Sequence, residues 1–277
     1  MIRIGTSGFS FPDWKGIIYP ADLPPGEMLA YYSGELGFNT VEVNSSYYRI
    51  LTPAATTRMS ERTPDDFEFT VKAFRGMTHD PFDPRLTTRP SNDEVAGYYR
   101  EFSASIEPLR RDGKLGAILL QFPVFFHPSQ SSRDYILQAR DRLPAAPLAI
   151  EFRNSEWARD ETFDFLRRND LAYCTVDEPK LPRLMPFLNR VTSSLGYARF
   201  HGRNPKWFSA PVAERYNYHY RDSELEEFTP VVRSMNIAAG KTYLFFNNCH
   251  QGAAAINAMR FRQILGLEAP APRELFN

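Results

Sequence analysis

Eight short apolar runs, each five to seven residues long, recur along this chain with longer amphipathic stretches between them. The runs are Ile2–Ser7, Thr40–Asn44, Phe67–Lys72, Leu115–Gln121, Leu148–Arg153, Leu171–Asp177, Gly196–Gly202 and Thr242–Asn247. The stretches that read as helices are Glu27–Leu36, Ala54–Arg62, Asn92–Leu109, Ser131–Arg142, Asp160–Asn169, Ser223–Asn236 and Gln251–Leu265. A strand followed repeatedly by a helix favours a parallel sheet with helices outside it. Eight strands are the number that closes such a sheet into a (β/α)8 barrel, which typically takes about 250 residues; this chain has 277. The expectation is therefore one (β/α)8 TIM-type barrel domain over residues 1–277, closed by pairing of the first strand with the last. The sixth unit is irregular. Pro179, Pro182 and Pro186 interrupt Glu178–Ser194, and proline lacks the amide that a helix interior needs. An open doubly wound sheet is the competing layout, but no Gly-x-Gly-x-x-Gly follows a strand. Ser91 and Asp222-Ser223 are the expected helix caps, since short oxygen side chains accept from the first free amides of a helix.

Side chains alternate between the two faces of a strand. In Thr40–Asn44 the valines suit the outer helices, which turns Glu42 and Asn44 inward. In Leu148–Arg153 the same reasoning turns Glu151 and Arg153 inward. It also places Thr70 and Lys72, Leu119 and Gln121, Asp177, and Arg199 and His201 inside. These polar groups fall at the C-terminal strand ends, where barrel enzymes carry their sites. A lone buried charge is expensive, so Glu42 and Glu151 are expected to pair with Arg199 or Lys72. A cluster of this kind can equally be a structural ion-pair network.

Several of these segments together form a recognisable pattern. Gly5-Thr6-Ser7-Gly8-Phe9-Ser10 is followed by Trp14-Lys15-Gly16, and Val41-Glu42-Val43-Asn44-Ser45-Ser46-Tyr47-Tyr48-Arg49 by Phe69-Thr70-Val71-Lys72-Ala73. Further on come Leu119-Leu120-Gln121-Phe122-Pro123, Glu151-Phe152-Arg153-Asn154, Tyr197-Ala198-Arg199-Phe200-His201-Gly202-Arg203 and Tyr243-Leu244-Phe245-Phe246-Asn247-Asn248. The chain resembles the "domain of unknown function 72" (YecE-like) family over nearly its whole length. The resemblance implies a TIM-type barrel. It carries over no catalytic residue, because the family is named for an unassigned activity. Two positions depart from the usual pattern: Phe9 stands where Trp is common, and Asn154 where His is common.

The chemistry that suits these residues best is an enzyme acting on a small anionic ligand, bearing phosphate or carboxylate, without a cofactor. Lys72, Arg153, Arg199 and Arg203 offer cations near strand ends, and arginine presents fixed donors to such groups. The turn Asn247-Asn248-Cys249-His250-Gln251-Gly252 leads into the last helix, whose N-terminus attracts anions. Glu42, Lys72, Glu151, Arg199 and His201 are the candidate catalytic set, with His201 moving a proton and a glutamate as base. Asn44, Tyr47, Gln121, Arg153, Asp177, Arg203, Asn247 and Asn248 are the candidate substrate contacts. Lys72 could also form a Schiff base, though a single lysine does not specify one.

Other classes are weighed against this reading. A divalent metal held by Glu42, Glu151, Asp177, His201 and His250 would give a nuclease- or isomerase-like barrel, but no ligand-spacing motif is present. Nucleic acid could lie across the mouth on Phe9, Phe11, Trp14, Tyr47, Tyr48, Trp207 and Phe208, interleaved with Lys15, Arg49, Arg75, Arg203 and Lys206. Against that, 33 basic and 33 acidic residues leave no net charge to hold a polyanion. A glycosidase needs two carboxylates facing each other across a sugar, and a cation is expected between Glu42 and Glu151. No Gly-x-Ser-x-Gly elbow is present for a serine hydrolase. A scaffold without catalysis is the remaining alternative. Cys174 and Cys249 fall in apolar runs without a disulfide or knuckle pattern and read as buried thiols. No apolar run approaches the ~20 residues of a membrane span, so a cytoplasmic protein with no membrane partner is expected. The oligomeric state is not legible in the sequence.

Overall fold

The computed structural model describes residues 1–144, 146–206, 211 and 215–267. Eight parallel strands form one sheet: β1 (Ile2–Thr6), β2 (Thr40–Val43), β3 (Glu68–Lys72), β4 (Leu115–Phe122), β5 (Leu148–Phe152), β6 (Ala172–Asp177), β7 (Leu195–Phe200) and β8 (Lys241–Phe246). Every expected strand is present, with ends shifted by a residue or two. The first strand pairs with the last, from Ile2 opposite Thr242 to Thr6 opposite Phe246. Between β1 and β2 the backbone ladder shrinks to a single bridge, Ser7 to Glu42. The result is a nearly closed (β/α)8 TIM-type barrel.

The helices follow the strands in turn: α1 (Met28–Gly34), α2 (Pro53–Glu61), α3 (Arg75–Thr78), α4 (Asn92–Arg111), α5 (Gln130–Arg142), α6 (Asp160–Arg168), α7 (Asp222–Ala239) and α8 (Ala253–Ile264). Residues 178–194, the proline-interrupted stretch, contain no helix. One core runs through the sheet and the inner faces of the helices, from Ile4 to Leu265. Strands covered on both sides read as near-continuous apolar runs, and β6 and β7 are buried along their full length.

Two helix starts differ from expectation in an informative way. Ser91 caps α4, reciprocated by Glu94 on the Ser91 amide at 2.8 Å. At α7, however, Arg221 holds the cap position, and its amide donates to Glu224 at 3.0 Å. Asp222 pairs instead with Arg260 at 2.6 Å. The last helix begins at Ala253 and not at Gln251, because Gln251 and Gly252 are left-handed (φ 48° and 79°). The four-residue α3 was not expected; it is too short to show periodicity.

Candidate functional site

The mouth of the barrel is floored by a buried ion-pair network. Arg199, on β7, sends one guanidinium nitrogen to Glu42 and another to Glu151, both at 2.6 Å. Arg153, just past β5, contacts Glu151 at 2.5 Å and Glu178 at 2.6 Å. His201 Nε2 lies 3.3 Å from Glu151, while its Nδ1 meets the Asn247 amide at 2.9 Å. Tyr197 donates to Glu42 from below at 2.7 Å. Glu42, Glu151 and His201 have no exposed surface, and Arg199 has 1 %.

The electrostatics follow from burial set against neighbours. Burial alone would raise the Glu151 carboxyl, but Arg153 and Arg199 hold it well below the usual range. His201 is pushed well down, first by burial and then by Arg153, so it stays neutral. Glu178 is raised to about 7, mainly by burial, with Arg153 opposing.

Above this floor the groups are partly open. Lys72, at the end of β3, donates to Gln121 Oε1 at 2.8 Å, and its ammonium lies 4.3 Å from the centre of the Tyr47 ring. Among the described residues it has no carboxylate within ion-pair distance. Burial and the Arg199 charge push it down to about 7. Gln121 Nε2 lies 3.5 Å from His79 Nε2, and the His79 ring meets Tyr47 edge-on at 4.9 Å. His79 is lowered to about 3 by burial and by Lys72. Asn44 and Asn247 touch each other at 3.4 Å on the other side of the mouth.

Two clefts open onto this region, and Tyr216 lines both. One, of 210 Å³, carries His79, Gln121, Arg153 and Arg215, with no carboxylate among its described lining residues. The other, of 340 Å³, carries Ser7, Asn44, Asn247, Cys249 and His250 beside Asp13.

Ten of the thirteen candidate residues gather at the mouth: Glu42, Asn44, Tyr47, Lys72, Gln121, Glu151, Arg153, Arg199, His201 and Asn247. The other three do not. Asp177 pairs in register with Phe200, whose ring packs on Phe228 of α7, so it faces the helix layer. The inward positions of β6 are Cys174 and Val176, which lie beside Tyr197 and Arg199. The alternating polar residues of this run, Tyr173, Thr175 and Asp177, face out instead, Tyr173 onto Phe163 and Thr175 onto the Leu188 carbonyl. Arg203 follows Asp177 outward, gripping it at 2.9 Å and reaching Glu224 at 3.4 Å and Glu227 at 3.5 Å. Both line a separate 590 Å³ cavity between residues 178–187 and α7. Asn248 also points outward, donating to the Tyr218 carbonyl and to Asn257 at 2.8 and 2.9 Å.

The turn before the last helix does receive an anion, but it is the chain's own. Asp13 accepts from the Gln251 amide at 2.7 Å. The metal set is likewise dispersed: Asp177 lies outside, and His250 faces Asp13 at 3.9 Å. Among the described residues no three His, Cys, Asp or Glu side chains group to hold a metal ion. For a nucleic-acid face, Trp14 is lost: it is fully buried and donates to the Cys249 carbonyl at 2.7 Å. Trp207 and Phe208 lie outside the described residues. Cys174 is buried as expected, whereas Cys249 is only half-buried, and neither is paired. No helix is long and apolar enough to cross a membrane among the described residues.

Sequence reasoning missed His79, Glu178 and Tyr216. None stands on a strand, so alternation could not reveal them.

Comparison with known proteins gives one consistent result. Residues 3–275 match the family described as "Protein of unknown function DUF72". A Bacillus subtilis (strain 168) protein, "UPF0759 protein YunF", is 30% identical, with 99% of each chain covered. The crystal structure of a DUF72 family protein from Thermotoga maritima (TM1631) is 41% identical with a TM-score of 0.87, covering 96% of this chain and 99% of that one. One from Enterococcus faecalis (EF0366) is 28% identical with a TM-score of 0.84, covering the whole of both chains.

Proposed function

Because the chain belongs to the DUF72 family, whose shared feature is this barrel, we propose from the site alone that the mouth is an enzyme site for a small anionic ligand, bearing phosphate or carboxylate. One observation carries the reading. Among the described residues Lys72 has no carboxylate partner, and those that line the cleft beside Gln121 include His79, Arg153 and Arg215 and no acidic group. Arg199 and Arg153 each already face two carboxylates. An incoming anion would therefore complete the charge of Lys72 and would not have to displace a buried glutamate. Asn44 and Asn247 would bind the neutral polar end of the ligand. Arg203 and the turn before the last helix, both engaged by carboxylates of the chain, have no part in this reading.

The test is thermal. A ligand that binds only the folded state raises the melting temperature by mass action. Phosphate or pyruvate is expected to stabilise the wild type, neutral glycerol is not, and the shift is expected to vanish in Lys72→Met. Equal stabilisation by glycerol, or a shift that survives the substitution, would overturn the reading.

A further inference from the structure

We propose that Lys72 is an amine nucleophile that forms an imine with a small aldehyde or ketone bearing an anionic group, an inference that rests on the anion reading of the same site. The geometry distinguishes this lysine from the two others that stand at strand ends, Lys114 and Lys241. Lys114 is spent at the far end of its strand, donating to the carbonyls of Ser60 and Thr63 at 2.6 and 2.8 Å. Lys241 pairs with Glu68 at 2.6 Å, also at the N-terminal end of the barrel. Lys72 alone among these three stands at a C-terminal strand end, half-buried, anchored by one neutral acceptor and one aromatic face. An ammonium locked to a carboxylate keeps its proton and is no nucleophile. One held by an amide oxygen in a desolvated pocket gives up its proton readily. Its lowering to about 7 agrees with this.

The surroundings suit the rest of the chemistry. The amine lone pair attacks the carbonyl carbon, a C–N bond forms, and the C=O π pair becomes an alkoxide that takes up one of the two nitrogen protons. The C–O bond then breaks, the hydroxyl leaves as water with the second nitrogen proton, and the imine remains. No oxidant or reductant is consumed. The proton inventory is local: neutral His79 lies across Gln121 from the amine. The carboxylate or phosphate of the substrate would lie in the cleft with His79 and Arg153, which Gln121 joins to Lys72.

Borohydride trapping of the full-length protein decides the matter. Borohydride reduces an imine to a stable secondary amine. Wild-type protein would be treated with pyruvate, with dihydroxyacetone phosphate, or with neutral dihydroxyacetone, and the adduct located by peptide mass mapping. The expected result is one reduced adduct per chain, on Lys72, from at least one of the two anionic compounds. Whether pyruvate or the phosphate reacts tells which anionic group the cleft takes. The Lys72→Met variant should lose the adduct, but mapping on the wild type keeps the result independent of that variant's folding. Labelling spread over exposed lysines, equal labelling by neutral dihydroxyacetone, or an unlabelled Lys72 would overturn the inference. The two readings fail separately. If pyruvate raises the melting temperature and no adduct forms, the covalent step is wrong and anion binding stands. If neither anionic compound stabilises the protein, the anion reading itself is lost.

Discussion

At the scale of single residues, the feature that governs this barrel is one arginine between two glutamates. Arg199 shares its guanidinium between Glu42 and Glu151 in a place that water does not reach. Buried pairs are not strong evidence of net stabilisation, because desolvation offsets attraction, but breaking one leaves an uncompensated charge. Arg199→Met leaves Glu42 buried without its cation, while Glu151 keeps Arg153. It is expected to destabilise the fold by about 3–5 kcal/mol in equilibrium denaturation. An unchanged midpoint would mean that the carboxylates find water or protons at no penalty. The same contact speaks against two opposed carboxylates in a glycosidase arrangement, since a cation occupies the space between them. Alternation made Glu42, Glu151 and Arg199 legible as inward-facing. It failed for Asp177, because the alternating polar residues of β6, Tyr173, Thr175 and Asp177, face the helix layer, while Cys174 and Val176 face in. It could say nothing of His79 or Glu178, which reach the mouth from loops.

At the scale of elements, the seam between β1 and β2 shows how the barrel completes its circle with few ladder bonds. Gly5 is essential there: a Cβ would stand 2.3 Å from the Thr40 carbonyl oxygen. One turn of α1 brings the Tyr32 hydroxyl into the seam. It accepts from the Thr6 amide at 3.0 Å and donates to the Thr40 carbonyl at 3.2 Å. A side chain thus replaces a rung of the ladder. Tyr32→Phe keeps the ring, which stacks on Phe38, but leaves a buried donor and a buried acceptor unmet. The expected loss is about 1–3 kcal/mol, read from the denaturation midpoint; a neutral result would show that the strands close the gap themselves. The pairing of β1 with β8 was foreseeable from the strand count, whereas this tyrosine bridge was not, because nothing in Met28–Gly34 distinguishes a bridging tyrosine from a packing one.

At the scale of the whole molecule, the buried titratable groups set how stability responds to acid. Glu151 is depressed in the folded state, so its contribution is present above its ordinary value of 4.5 and is lost as pH falls below it. His201 and His79 are also depressed. The unfolded chain takes up their protons from about 6.5 downward, so stability falls with pH there too. Glu178 acts the other way: raised to about 7, it favours the fold below 4.5 and loses that contribution as pH rises to 7. The two histidines outweigh the one glutamate between 4.5 and 6.5, so stability should decline gently with acid there and steeply below 4.5. In Glu178→Gln the opposing contribution is gone, and the decline between 6.5 and 4.5 should steepen. Chemical denaturation across that range checks it, and a slope unchanged by the substitution would show that Glu178 does not carry the proton.

The sequence by itself determined the number and order of strands, the break in the sixth unit and the inward face of most strands. These rest on local covalent geometry: alternation along an extended chain, and the missing amide of proline. Only the tertiary structure decided which charge meets which. Glu42 and Arg199 are 157 residues apart, and Arg153 and Glu178 are 25 apart, with α6 and β6 between them. It also decided that Asp13 would satisfy the turn before the last helix, and that Lys72 would face an amide and a ring. Charge pairing depends on distances of a few ångströms, and those arise only when strands remote in sequence are wound beside one another.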